Sequence, residues 1–294
     1  MFGLNEPANA TFFLGWMIEV GTFDPLPIEA IWAIWEFPAN EPYTDSFNDA
    51  GYSFLFSIEN FGTGTVIIHF ALITALIYFL VSKLRTSWAR EVTQHPKFIS
   101  NYNGLFFGGS LRFLFEGYSE LTISCSIGLL TMRWGSELGF SELYCNYFTI
   151  IMSIAVVALP IYILVFYCCR IDDLNDGNFA ERFGTLYAGL KVHPKETERK
   201  TRKRRKTTIF DPFMFVMRRL IFMALSLLLM HLPVFQLMAT FYVCTGMVIY
   251  FLWFRPFEEI KVTMLEVMNE ITTIAMLYVM LTFSDWVPSP EVRY

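Results

Sequence analysis

The stretch TGTVIIHFALITALIYFLVS, residues 63–82, decides the fold class of this chain. It holds no Asp, Glu, Lys or Arg, and the nearest charges are Glu59 and Lys83. An α-helix needs about 20 predominantly apolar residues to cross a hydrocarbon core about 30 Å thick. The stretch therefore predicts a membrane-spanning helix.

Five further apolar stretches resemble the first. They predict spans at about 118–132, 147–169, 213–232, 234–254 and 262–283, with Pro160 kinking the third helix rather than ending it. Composition agrees, because 54% of the 294 residues are hydrophobic and only 17% are charged, against about 25% charged in soluble domains. We predict an all-α fold, a polytopic membrane helix bundle of about six transmembrane helices.

Catalytic motifs are missing from the sequence. It holds no P-loop, no HExxH and no GxSxG, and its four His and five Cys show no metal-ligand spacing. We therefore expect neither an enzyme nor a structural metal centre. His69, inside the first span, is expected to form a hydrogen bond between helices.

Charge predicts the orientation. Basic residues follow the first, third and fifth spans, whereas residues 1–60 hold nine acidic residues and no Lys or Arg. By the positive-inside rule the N-terminus lies outside. Residues 1–60 are then an acidic, aromatic extracytoplasmic or interfacial cap, and 61–170 hold transmembrane helices one to three. Residues 171–212 form a basic cytoplasmic loop, and 213–294 hold helices four to six with a short outer tail.

Two surface features follow from this orientation. Asn9 begins the sequon Asn-Ala-Thr and is expected to be glycosylated if the chain enters the secretory pathway. The run KETERKTRKRRK at 195–206 predicts binding to anionic lipid headgroups, or else a solvated loop that only sets the orientation. The residues assigned to lipid contact are Lys200, Arg202, Lys203, Arg204, Arg205 and Lys206. A run between two spans excludes a nucleic-acid partner.

Charged residues inside predicted spans mark the candidate site, because burying them is costly. Glu266 and Glu270 lie four residues apart on one helix face, with Asn269 beside them. Their oxygens suit a cation such as Ca²⁺. Alternatively, at least one glutamate pairs in a charge network with Arg218, Arg219 or Arg112. Arg112 itself is spaced to pair with Glu116 along one helix.

Six pieces of sequence carry a resemblance to a known family. They are FDPLP (23–27), GYSFLFSIENFGT (51–63), RFGTLYAGLK (182–191), DPFMFVMRRLIF (211–222), RPFEEIKVTMLEVMNE (255–270) and FSDWVPSPEVRY (283–294). In these pieces the chain resembles the membrane region of the transient-receptor-potential-like (TRP-like) proteins of ciliates and related protists.

The resemblance implies a cation channel or sensor in the plasma or ciliary membrane, with the N-terminus outside. The mitochondrial inner membrane is the alternative location, in which case the inside is the matrix. The alternative function is that of a non-conducting structural subunit of a larger membrane complex. The expected partners are membrane lipids, together with other membrane subunits or further copies of the chain.

Overall fold

The computed structural model describes residues 42–49, 51–83, 108–135, 137–170 and 198–282, with shorter pieces at 37, 179, 182–187 and 189–191. Within these ranges the regular secondary structure is helical, and the one β-type contact there is an isolated bridge between Leu190 and Phe257. The α-helices are α1 (Asp45–Asp49), α2 (Ser57–Phe61), α3 (Thr63–Lys83), α4 (Ser110–Glu116), α5 (Tyr118–Thr131), α6 (Phe140–Arg170), α7 (Glu198–Leu228), α8 (Pro233–Phe254) and α9 (Ile260–Thr282), and a 3-10 helix covers Gly184–Leu186. The predicted all-α class is confirmed for the described residues.

Four of these helices are long and apolar enough to cross a membrane. They are Thr63–Val81 within α3, and the whole of α6, α8 and α9, which correspond to the first, third, fifth and sixth predicted spans. The helix α5 has only 14 residues and reaches about 21 Å at 1.5 Å per residue, which is short of the hydrocarbon thickness. The predicted count of about six spans is therefore not confirmed.

The two long helices with a proline in their interior, α6 and α7, differ from their predicted bounds. Pro160 lies inside α6, which continues unbroken to Arg170, so this proline does not end the helix, as predicted. The helix α7 is also continuous, from Glu198 through Pro212 to Leu228. Residues 198–212, predicted to be loop, are thus helical, because Lys and Arg are good helix formers whatever their charge.

The short helix α2 is a buried element that the sequence did not reveal. Ser57, Ile58 and Phe61 are each at most 2% exposed, and they pack against α5 and α6. Gly62 then takes a φ of 49° between α2 and α3, a conformation that glycine adopts without steric penalty. Part of the predicted cap is therefore core rather than surface.

Three elements approach closely around Gly128 of α5. A Cβ atom at this position would lie 3.0 Å from Thr149 Cγ2 of α6 and 3.1 Å from Ser57 Cβ of α2. The Ser57 and Thr149 hydroxyls form a 2.6 Å hydrogen bond across this contact. A larger residue at this position would force the Thr149 or Ser57 side chain to shift.

Along the bundle, α5, α6 and α7 share one apolar core. Tyr118 is fully buried and donates a 2.9 Å hydrogen bond to the carbonyl oxygen of Val156, and Val216 of α7 belongs to the same cluster. The helices α8 and α9 pack against each other and, through Met247 and Val267, against the α7 side of the bundle. This packing brings α7, α8 and α9 together around the charged residues.

Two chain segments meet at one end of the bundle. The Glu258 amide donates a 2.8 Å hydrogen bond to Gly189, and the Lys191 amide donates a 2.9 Å bond to Pro256. The segment that follows α6 and the connection between α8 and α9 therefore lie at the same end of the bundle. The sequence predicted one side for both of them.

Candidate functional site

An ion pair between α7 and α9 is the centre of the candidate site. Arg218 Nη1 contacts Glu270 Oε1. The Glu270 side chain is only 3% exposed and that of Arg218 is 27% exposed, so the negative member is sealed while the positive member still reaches the surface. The pairing of one glutamate of α9 with a basic residue of α7 is confirmed.

Arg219, the neighbour of Arg218, does not take part in this pair. Its guanidinium donates hydrogen bonds to the carbonyl oxygens of Phe115 and Glu116, the latter at 3.0 Å. It also lies over the Phe215 ring, 4.1 Å from the ring centroid. Arg219 therefore satisfies carbonyl groups at the end of α4, groups that a helix leaves without an internal partner.

The pair predicted within α4 is present but exposed. Arg112 Nε lies 3.9 Å from Glu116 Oε1, and the two side chains are 70% and 73% exposed. Because water screens the two charges, such an exposed pair contributes little to the free energy of unfolding. Arg112 does not reach Glu270, so it has no part in the contact between α7 and α9.

The second glutamate of α9 faces another acid. Glu266 is half-buried and interacts electrostatically with Asp211 of α7, while Asn269 is exposed. Asp211, Arg218, Glu266 and Glu270 are called the α7–α9 charge network below. Asp211 was not singled out from the sequence, although its seven-residue spacing from Arg218 places both on one helix face.

Asp211 is held where its charge is unfavourable. Burial, and secondly the negative charge of Glu266, raise the pKa of its carboxyl to about 7, while Arg218 acts in the opposite direction. Tyr167 of α6 and Tyr250 of α8 also lie close enough to interact with it electrostatically. Four helices therefore surround this carboxyl group.

Several oxygens in this region have no hydrogen-bond partner within the part of the chain that the structure describes. They are the Tyr167 hydroxyl, the Thr263 hydroxyl and Glu270 Oε2. Buried polar atoms of this kind are ordinarily satisfied by water or an ion. The described residues nevertheless contain no group of three or more His, Cys, Asp or Glu that could hold a metal ion.

A cavity of about 230 Å³ adjoins the network on the side of α4. Arg112, Glu116 and Asp211 line it together with apolar residues that include Phe215 and Phe257. The structure therefore brings the charged residues of α4 and the acid of α7 to one cavity, although Glu266 and Glu270 do not line it.

The remaining predicted site residues receive different outcomes. His69 Nδ1 lies 2.7 Å from the Thr65 carbonyl oxygen, and its Nε2 contacts the Tyr144 hydroxyl of α6, so the predicted hydrogen bond between helices is confirmed. The backbone of the basic run from residue 198 belongs to α7, and the lipid contact of its side chains stays a prediction. Asn9 lies outside the described residues.

Comparison with known proteins adds no relative. No family model matches the chain, and neither a curated protein nor a solved structure matches it.

Proposed function

We propose that this chain is an integral membrane protein of the TRP-like kind, a cation channel or sensor whose ion-linked element is the α7–α9 charge network. Four helices of membrane-spanning length and apolarity support insertion in a membrane. The pieces of sequence that resemble the family, 211–222 and 255–270, contain all four residues of the network. The proposed orientation has the N-terminus outside, in the plasma or ciliary membrane.

The observation that carries this proposal is the juxtaposition of two acids beside an ion pair. Arg218 and Glu270 neutralise each other and hold α7 against α9, whereas Asp211 and Glu266 repel each other nearby. A proton or cation at these two acids removes the repulsion. Because a ligand shifts a conformational equilibrium only through different affinities for its states, cation occupancy would favour the arrangement in which Asp211 and Glu266 lie near each other.

The test uses the full chain in sealed vesicles. Influx of Na⁺, K⁺ and Ca²⁺ is followed with encapsulated fluorescent indicators for the wild type, for the double variant Asp211→Asn/Glu266→Gln, and for the control Glu116→Gln. We expect cation influx, or a cation-dependent melting temperature in the case of a sensor, that the double variant loses and the control retains. Equal behaviour of all three proteins in both measurements would refute the proposal.

A non-conducting structural subunit is the second candidate, and specific observations favour it. Leu228, Trp253 and Phe140 are each at least 78% exposed, which gives the bundle broad apolar surfaces for lipid or protein neighbours. The connection between α7 and α8 spans only Leu229 to Leu232, too few residues for a selectivity filter. Purification from the native membrane separates the two candidates, since a ring of identical chains favours a channel and a complex of many different chains favours a subunit.

A further inference from the structure

A second cavity lies between α3, α4 and α6, and it shares the lining residues Leu111 and Leu186 with the cavity beside the charge network. Its volume is about 350 Å³, within the range of small-molecule sites, and its lining is apolar. Ala71 and Leu72 of α3, Leu111 of α4, Phe166 of α6 and Phe183 of the following segment contribute to it. Such a cavity suits a hydrocarbon chain rather than a polar ligand.

The cavity opens on the most lipid-like surface of the described chain. Only 11% of the α3 span is buried, and Leu72, which lines the cavity, is itself 58% exposed. Ile73 and Leu76 continue the exposed apolar surface along α3. In a membrane, this surface contacts acyl chains, so the cavity is continuous with the hydrocarbon.

Two arginines lie near the cavity. Arg112 lines the neighbouring 230 Å³ cavity, which shares Leu111 and Leu186 with this one, and Arg182 directly precedes the lining residue Phe183. Both arginines are exposed, and within the described residues Arg112 pairs with Glu116 at 3.9 Å. Arginine pairs with phosphate through two parallel N–H donors, so the charges beside the cavity complement an anionic headgroup.

We propose that this cavity binds one acyl chain of an anionic phospholipid, with Arg112 and Arg182 holding its phosphate headgroup. The lipid comes from the leaflet at which α6 ends, because the 182–186 segment follows α6. The site differs from the basic run at 200–206, which offers charge near a membrane surface without an apolar cavity. This inference rests on the proposed insertion in a membrane, and the experiment below distinguishes a failure of the lipid site from a failure of membrane insertion.

The experiment places the purified full chain in phosphatidylcholine vesicles that contain a small fraction of phosphatidylglycerol with a photoreactive diazirine on its acyl chain. Adducts are located by peptide mass spectrometry. We expect adducts concentrated at residues 111–114 and 183–186, and we expect excess unlabelled phosphatidylglycerol, but not phosphatidylcholine, to reduce them at least fivefold.

Substitutions test the cavity and the headgroup contact separately. Ala71→Phe fills the cavity and should lower these adducts at least fivefold, whereas Ala75→Phe, one turn along α3, should leave them unchanged. The double variant Arg112→Gln/Arg182→Gln should abolish the preference for phosphatidylglycerol over an equally labelled phosphatidylcholine. The competition measurement on the wild type decides the result even if Ala71→Phe fails to fold.

Three results would overturn the proposal. Adducts spread evenly over residues 72–80, without competition, would mean that α3 meets only bulk lipid, and would leave membrane insertion intact. Equal competition by both lipids would remove the headgroup contact. A complete absence of adducts anywhere on the chain would contradict membrane insertion itself.

Discussion

Replacing Arg218 with Met tests the ion pair between α7 and α9 most severely. The substitution leaves the Glu270 carboxylate, 3% exposed and with one oxygen already lacking a partner, without its counter-charge. Two charges about 3 Å apart attract by about 5 kcal/mol at an effective dielectric constant of about 20, and desolvation offsets part of this. Breaking a buried pair from one side costs about 3–5 kcal/mol.

The two members of the pair should not be equivalent. We expect Arg218→Met to lower the free energy of unfolding by about 3 kcal/mol, because Glu270 cannot reach water. Glu270→Gln should cost less, about 1–2 kcal/mol, because the orphaned Arg218 is 27% exposed and can be hydrated. The double variant Arg218→Met/Glu270→Met should recover most of the loss, since apolar replacement of a whole buried pair is often neutral.

The assay is reversible unfolding in mixed detergent micelles, followed by tryptophan fluorescence while the fraction of dodecyl sulfate rises. Arg112→Gln is the matched control, because its pair with Glu116 is exposed and should contribute no more than about 0.5 kcal/mol. A loss below about 1 kcal/mol for Arg218→Met, together with additive effects in the double variant, would refute the role of this pair.

Three further predictions concern other parts of the chain. The pKa of Asp211 is raised from 3.8 to about 7 in the folded state, so the folded protein loses stability as the pH rises from about 4 to about 7. At pH 8 we therefore expect Asp211→Asn to be more stable than the wild type by about 2 kcal/mol, after allowance for partial exposure. At pH 4 the two proteins should be nearly equal in stability. Equal pH dependence of the melting temperature would contradict this. Gly128→Val should destabilise the bundle by about 1–3 kcal/mol through overpacking against Thr149 and Ser57. Thermal unfolding measures this loss, and the control is Gly135→Val, because a Cβ atom at residue 135 meets nothing within 4 Å. Replacing Arg202, Lys203, Arg204, Arg205 and Lys206 with Gln should weaken binding to anionic liposomes, and more so at low salt; unchanged binding at both ionic strengths would reduce the run to an orientation signal.

The long apolar helices were predictable because their signal is local. The free energy of transferring a stretch such as 63–82 into a membrane depends on the residues of that stretch alone. Accordingly, the helices α3, α6, α8 and α9 begin or end close to the predicted bounds. The second span was predicted at about 118–132, and α5 indeed begins at Tyr118, directly after Gly117. The sequence did not predict that the preceding residues form a separate short helix, α4.

The charge network was partly predictable, and the reasons differ by residue. The spacing of Glu266 and Glu270 indicated a shared face, and two basic residues entering at similar depth indicated a pair with α7. Nothing in the sequence distinguished Arg218 from Arg219, because adjacent residues differ by about 100° around a helix and only the packing decides which one faces α9. Asp211 was missed for a related reason, since its importance arises from Glu266 on another helix.

The most direct test of the account is the sidedness of three positions in sealed vesicles of known orientation. In a variant whose five native cysteines are replaced, single cysteines at Lys191, Glu258 and Arg133 are labelled with a maleimide that cannot cross membranes. We expect Lys191→Cys and Glu258→Cys to react from the same side, because their backbones meet at one end of the bundle. Arg133→Cys follows the C-terminal end of α5, and we expect it to react only from the opposite side. Labelling of all three from one side, or of Lys191→Cys and Glu258→Cys from opposite sides, would contradict a membrane-spanning bundle of this architecture.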